Sequence, residues 1–445
     1  MIRIANGQGF WGDWLEAPAR LLEQGPVDYL MLDYLAEVTM SILQKQRRAD
    51  TNLGYARDFP PLIAGIASHI RDRRVRVIAN AGGVNPIACA REVRRLAPGL
   101  RVAVVLGDDL FDQLDDLLAA GHEMRNMDNG EPLASIRPKV LSVNAYTGAF
   151  PVADALATGA DVVITGRCAD PALALAPMIH EFGWQSTDWD RLAAGIVAGH
   201  SIECGAQSSG GNCQVDWTTI PDLANIGYPI VEMEPDGNFS VTKHPGTGGR
   251  IDSHGIKEQL IYEIGDPARY ITPDVVADFT SVLVRDDGPD RVRITGVKGS
   301  PATPTLKLSV SYLWGWKSIG TLVYSYPDAV EKARAADRIV RQRLEQLGLR
   351  FDEIYTELFG FNACHGPAAR TDEKAVAEVQ LRIGVRGHDK AAVDRFTREL
   401  IPLVLSGPPG GTGYGDGRPA VREVVAFWPA LVPREVIRPS IEVVE

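Results

Sequence analysis

The first 170 residues repeat one phrase: a short apolar run, a small or polar residue at its end, then an amphipathic stretch. The apolar runs lie at residues 2–5, 29–32, 75–78, 102–106, 140–143 and 162–165, with amphipathic segments such as 61–71, 86–96 and 151–158 between them. Val- and Ile-rich runs alternating with helix-length segments predict βαβ units, hence a parallel sheet covered on both faces. Six such runs fall short of the eight strands of a barrel, so an open, doubly wound sheet is expected. A helix-rich stretch follows over 172–205, then a loop of small residues at 205–211. From about residue 275 the pattern becomes alternating strands at 281–285, 292–297, 305–313 and 320–324. Amphipathic helices at 328–347 and 389–405 bracket a further strand at 378–385. These predict a two-layer α+β domain over 271–445, after an α/β domain over 1–270.

In a parallel sheet the carboxyl ends of the strands share one edge, and ligands bind in the crevice outside it. The runs here end in Asn6-Gly7, Asp33-Tyr34, Asn80-Ala81-Gly82-Gly83, Gly107-Asp108-Asp109, Asn144-Ala145-Tyr146 and Gly166-Arg167-Cys168-Ala169-Asp170. Asn6, Asn80, Asp108, Asn144, Arg167 and Asp170 are therefore candidates for a polar site, although Asn, Asp and Gly also serve as turn residues and helix caps. Arg167 has the fork geometry to clamp a carboxylate or phosphate, with Asp170 to orient it or act as a base; an Arg–Asp pair with Asp170 capping a helix is the structural alternative.

Two further motifs carry candidate chemistry. Residues 238–243 read as a strand, followed by Pro245-Gly246-Thr247-Gly248-Gly249 and a helix opening near Asp252 and Ser253. Strand, glycine loop and helix start is an arrangement that aims backbone N–H groups at an anion, and Lys243 adds a positive charge. Phosphate, carboxylate or CoA binding and a plain strand-to-helix turn both fit it. In a helix predicted over 190–204, Ile196, His200 and Cys204 recur four apart, and Glu203 sits three after His200. A histidine and a carboxylate within reach of each other suit general acid–base work; a hydrogen-bonded core histidine is the alternative. The adjacent Cys364-His365 does not by itself make a dyad, and the glycine-rich stretch 406–415 reads as a lid, a subunit contact or a connector.

Composition narrows the classes. Of 445 residues, 45% are hydrophobic and 23% charged, an ordinary globular balance. The net charge of −11 repels phosphate backbones and anionic membranes, so neither nucleic acid nor membrane is an expected partner. Five cysteines with no C-x-x-C pair argue against a disulfide framework or a zinc knot. No signal-peptide pattern and no long apolar stretch is present, so a cytoplasmic protein is expected. G-x-S-x-G and H-E-x-x-H are also missing. No resident cofactor is expected, and a divalent metal has no supporting ligand set.

The sequence resembles the acyclic terpene utilisation (AtuA) family, formerly described only as a domain of unknown function. The stretches that carry the resemblance are NGQGFWGD at 6–13, NAGGVNP at 80–86, GDD at 107–109, 144–148, VVITGRCADP at 162–171, GHSIECGAQSSGG at 199–211, PDLANIGYP at 221–229, TKHPGTGG at 242–249 and TPDVVADF at 272–279. Phe10 and Trp11 depart from the smaller residues of many relatives and are expected to narrow a pocket. The resemblance implies a place in the breakdown of branched acyclic acids through CoA thioesters. The expectation is a lyase or hydratase acting on a branched hydroxy- or enoyl-acid, free or as its CoA thioester. Glu203 or Asp170 would be the base and His200 the acid, while Lys243, Arg167 and the amides of 246–249 would hold the anionic end. The alternative is a non-catalytic binding subunit that works with a separate small ferredoxin-fold chain, since many relatives carry such a domain after the point where this sequence stops. A hydrolase using Asp108 or Asp109 with a divalent metal is a third reading, and a homo-oligomer is expected.

Overall fold

The computed structural model describes residues 1–214, 216–413 and 417–444. They form two compact units, one of Met1–Ser311 with the chain from Phe427 onward, the other of Tyr312–Ala426. The first unit is built on a ten-stranded sheet in the order Leu283–Asp286, Arg291–Thr295, Phe239–Thr242, Ile230–Met233, Ile2–Gln8, Tyr29–Leu32, Arg76–Ala79, Val162–Thr165, Val102–Leu106, Ser440–Val444. The strands from Ile2–Gln8 to Val102–Leu106 are mutually parallel. Those on both flanks are antiparallel.

Residues alternate between two cores along these strands. Leu30, Val77, Ala79, Val104 and Ile164 join the core that includes helices Ala17–Gln24, Phe59–Arg73 and Pro86–Leu96. Met31, Ile78, Ala103, Val105 and Val163 join the core of helices Phe150–Ala157, Ala172–Phe182 and Trp189–His200. Burial on both faces is why the runs read as continuously apolar rather than alternating. The five parallel strands match the α/β expectation; the run at 140–143 does not. Val140–Ala145 pairs with Thr305–Ser325 instead of joining the central sheet. A parallel crossover needs a long connection, usually a helix, and the only α-helix between Leu106 and Val140 is the short Leu114–Ala119. The expected division at 270/271 also differs from the observed one, because Leu283–Asp286 and Arg291–Thr295 extend the first unit's sheet.

The second unit sets Glu353–Phe359, Glu378–Gly387 and the later part of Thr305–Ser325 side by side as antiparallel strands. Leu322, Leu381 and Ile383 of these strands share a core with Ala333 and Val340 of helix Ala329–Gln346 and Phe396 of helix Lys390–Phe396. The runs expected at 305–313 and 320–324 are one strand. The helix expected over 389–405 stops at Phe396, and a short helix, Leu403–Ser406, begins after Pro402. In the 406–415 stretch, Tyr414 and Gly415 lie outside the described residues, as does the terminal Glu445. No described helix is long and apolar enough to cross a membrane.

Candidate functional site

The carboxyl ends of the parallel strands open onto a cavity in two lobes. The first, about 460 Å³, is lined by Asp33, Glu37, Arg167, Asp170, Glu203 and Glu263, with Phe10, Trp11 and Cys204 among its other walls. The second, about 470 Å³, shares Glu37, Arg167, Asp170 and Glu263 with the first and adds Tyr146, Tyr270, Leu306, Lys307 and Leu431. The first lobe thus carries five carboxylates and one guanidinium. Phe10 and Trp11 do sit at the pocket wall.

Arg167, 2% exposed, is the hub where the lobes meet. Its Nη1 donates to Leu35 O at 3.0 Å, Cys168 O at 3.1 Å and Asp170 Oδ1 at 2.5 Å. Its guanidinium lies 4.3 Å from the centre of the Tyr146 ring, and its Nε is buried without a partner. The Tyr146 hydroxyl donates to Glu37. Burial raises the Glu37 pKa, but Arg167 and the Tyr146 bond prevail and leave it below the usual carboxylate range.

Carboxylate crowding has the opposite effect deeper in the lobe. Burial drives the Asp33 pKa well up, the Asp170 charge adds to this, and the Asn80 bond and Arg167 only partly counter it. Asp170 is pushed up to about 6 by burial, with Glu203 adding and Arg167 opposing. The neutral acid is therefore favoured at Asp33, while Asp170 titrates close to neutrality. Cys204 is held as a thiol, its pKa pushed up to about 12 by burial.

Helix Trp189–His200 ends at His200, and the turn after it carries Glu203 into the lobe. Cys204 therefore does not continue the helical face expected from the spacing. His200 Nδ1 and Glu203 Oε1 are 2.6 Å apart, and His200 Nε2 and Glu203 Oε2 are buried without partners. Tyr270 and Phe279 flank the imidazole, each with its ring centre 5.5 Å away. Burial lowers the His200 pKa, but the Glu203 charge and hydrogen bond outweigh it, and the net shift is upward. His200 is hydrogen-bonded to Glu203 and is not among the residues lining the cavity, so direct contact with a ligand, which the acid role expected for it needs, is not seen. Gly9 lets the first strand press against this turn: a Cβ there would lie 2.7 Å from the carbonyl carbon of Cys204.

The polar residues at the other strand ends form a buried frame behind the cavity. Asn6 Nδ2 donates to Ile202 O and Glu203 O at 2.6 and 2.8 Å, fixing the turn that carries Glu203. Asn80 Nδ2 donates to Asp33 Oδ1 at 2.7 Å, and Asn80 Oδ1 accepts from Tyr34 N at 2.7 Å. Asn144 Nδ2 donates to Asp108 Oδ2 at 2.9 Å, and that oxygen also accepts the Arg167 N–H at 2.8 Å. Burial pushes Asp108 up to about 7. Asn6, Asn80, Asn144 and Asp108 thus hold Glu203, Asp33 and Arg167 in place and do not themselves line either lobe.

The glycine loop is assembled as expected but serves itself. Strand Phe239–Thr242 leads through it to helix Ser253–Ile261, capped by Asp252 accepting from Gly255 N at 2.8 Å. The N–H groups of Gly248 and Gly249 donate to Asn225 O and Pro221 O at 2.9 and 2.7 Å. Lys243 is buried, its Nζ 3.0 Å from both Asp290 Oδ2 and Thr247 O. A Cβ on Gly248 would lie 2.0 Å from Asp222 O, so glycine here permits close chain packing. None of Lys243, Gly246, Thr247, Gly248 and Gly249 lines the two-lobed cavity. The anion-holding role expected of this loop is not supported, since its cation and two of its amides already have partners.

Asp33 stood in the sequence as a strand-end residue without a role. Glu37, Glu263, Tyr270 and Lys307 carried no motif. Only the fold brings them to the strand ends. Among the described residues no group of three His, Cys, Asp or Glu side chains is placed to hold a metal ion. Cys364, on the second unit, is exposed.

These features define an α/β protein with a carboxylate-rich cavity at the carboxyl ends of its parallel strands. The chain belongs to the acyclic terpene utilisation family AtuA, which it matches over residues 2–443. That membership ties it to acyclic terpene utilisation. No curated protein and no solved structure matches it significantly.

Proposed function

We propose that the protein is a hydro-lyase acting on a branched hydroxy- or enoyl-acid, free or as a thioester. The observation that supports this most is Asp33, a buried carboxyl favoured in its neutral form, in one lobe with Glu203, whose carboxylate is backed by His200. Two carboxyl groups in one site can serve as acid and base when burial favours the neutral form of one of them, here Asp33.

In the dehydration direction Glu203 takes the proton α to the carbonyl, and Asp33 gives its proton to the departing hydroxyl. The C–O bond breaks, a C=C bond forms and water leaves. Glu203 ends with one proton more and Asp33 with one fewer, and exchange with solvent resets them. Charge that builds on the carbonyl oxygen meets Arg167, whose buried Nε–H is an unused donor. His200 is a positioning residue: it orients Glu203 without touching the substrate.

The test is turnover of branched enoates and their CoA esters, followed by loss of the conjugated absorbance. Asp33→Asn and Glu203→Gln should each slow the reaction by about a hundredfold or more, with the melting temperature essentially kept. Turnover within a few-fold of wild type in both variants would end this assignment. Binding without any turnover would favour the binding-subunit alternative, with activity sought after adding a small ferredoxin-fold partner.

A further inference from the structure

The geometry points to Lys307 as the anchor for a substrate carboxylate, so that the cavity takes a branched acid charge-first at the second lobe. This rests on the acid–base reading above for which end of the molecule reacts. An anion cannot settle in the first lobe. Besides Asp33 in its neutral form, four further carboxyl groups line it, and the Nη1 of its single cation, Arg167, is already engaged by Asp170 and two backbone carbonyls, with Glu37 3.9 Å from Nη2; only the Nε–H is left for a charge that develops during reaction. The other cation lining the cavity is Lys307.

Lys307 differs from Arg167 and Lys243 in having no carboxylate at ion-pair distance among the described residues. Its ammonium lies 5.2 Å from the Tyr146 ring centre and 5.5 Å from that of Phe427. Those rings hold the charge over the lobe without neutralising it. Tyr146 carries Lys307 and Arg167 over the same ring, so the anchor and the hub of the carboxylate lobe are separated by little more than one side chain. Ile271, Leu306 and Leu431 line the same lobe and give it an apolar wall suited to a branched hydrocarbon chain. A short hydroxy- or enoyl-acid would set one carboxylate oxygen on Lys307 and turn the other toward Arg167, with its reacting carbon on the side of Asp33 and Glu203. The second lobe shares Glu37, Asp170 and Glu263 with the first and adds Lys307, so the attraction that orients a carboxylate is confined to the lysine's end of the cavity.

The probes are geranate, a branched acyclic enoate, and geraniol, the alcohol of the same skeleton, with binding followed by calorimetry. Wild type should bind geranate about tenfold or more tighter than geraniol. Lys307→Met should remove that preference, Lys307→Arg should restore most of it, and salt should weaken geranate binding alone. Lys307 is exposed, so neither variant should unfold the protein, and an unchanged melting temperature checks this. Lys307→Met binding geranate like wild type, wild type binding geraniol equally well, or wild type failing to bind geranate would each overturn the proposal. Asp33→Asn separates the two readings: it should keep geranate affinity while losing turnover. If it turns over normally, the acid–base assignment falls and the anchor stands or falls on Lys307→Met alone.

Discussion

Two regions of the first unit look alike in sequence and differ in what their polar groups do. The loop at 243–249 has a lysine, glycines and a helix start, and its cation and two of its amides are engaged by the chain: Lys243 with Asp290, Gly248 and Gly249 with Asn225 and Pro221. At the strand ends, Asp33, Asp170, Glu203 and Arg167 face a cavity, and buried atoms such as Glu203 Oε2 and Arg167 Nε have no partner. Donors and acceptors already matched inside the fold stabilise it. Those left unmatched beside a cavity are the ones a ligand can use.

The contrast can be tested by breaking each region separately. The largest expected effect is in the cavity: Glu203→Gln lowers turnover about a hundredfold while geranate affinity, measured by calorimetry, stays near wild type. In the loop the effect moves to stability. Asp290→Ala leaves the buried Lys243 ammonium without its carboxylate and should cost about 2 kcal/mol, less than a fully buried pair because Asp290 is partly exposed. A denaturant titration checks this, and turnover of the folded variant should not change. Asn80→Ala is intermediate: it frees Asp33 from its 2.7 Å bond and should lower kcat by about tenfold with little change in KM.

The smallest effect is a pH dependence of stability. Asp108 and Asp274 are buried, with pKa values pushed up to about 7 and about 6, above their ordinary value. The folded state then binds more protons than the unfolded chain from the ordinary value of 3.8 up to these folded values, so stability falls as pH rises through that window. The raised His200 acts in the same direction, its contribution present at low pH and lost as pH rises through its folded value. Melting curves should therefore show the protein gaining stability from pH 8 down toward pH 5.5, by a few degrees. Asp108→Asn should flatten the upper part of that slope.

Much of the fold was legible because it depends on local pattern. Five of the six apolar runs became parallel strands, and the helices between them formed close to their expected spans. The run at 140–145 carries the same pattern, and only the lack of a crossover helix before it decides that it pairs elsewhere. The site was legible as an edge and not as a set of contacts. Arg167, Asp170 and Glu203 reach the cavity, whereas Asn6, Asn80, Asn144 and Asp108, equally polar and equally placed in sequence, turn inward to hold them. Which way a strand-end side chain points depends on what packs beside it, and spacing along one chain carries no record of that. Glu263, Tyr270 and Lys307 lie beyond the strand–helix repeat, so no periodicity marked them.

The central claim is that Asp33 is the neutral acid of a carboxylate-lined site. Infrared difference spectroscopy of wild type against Asp33→Asn at pH 7 tests it most directly. A protonated-carboxyl carbonyl band present in wild type and missing from the variant is the predicted result. A difference spectrum with only carboxylate bands would show Asp33 ionised at neutral pH, and the acid would have to be sought elsewhere.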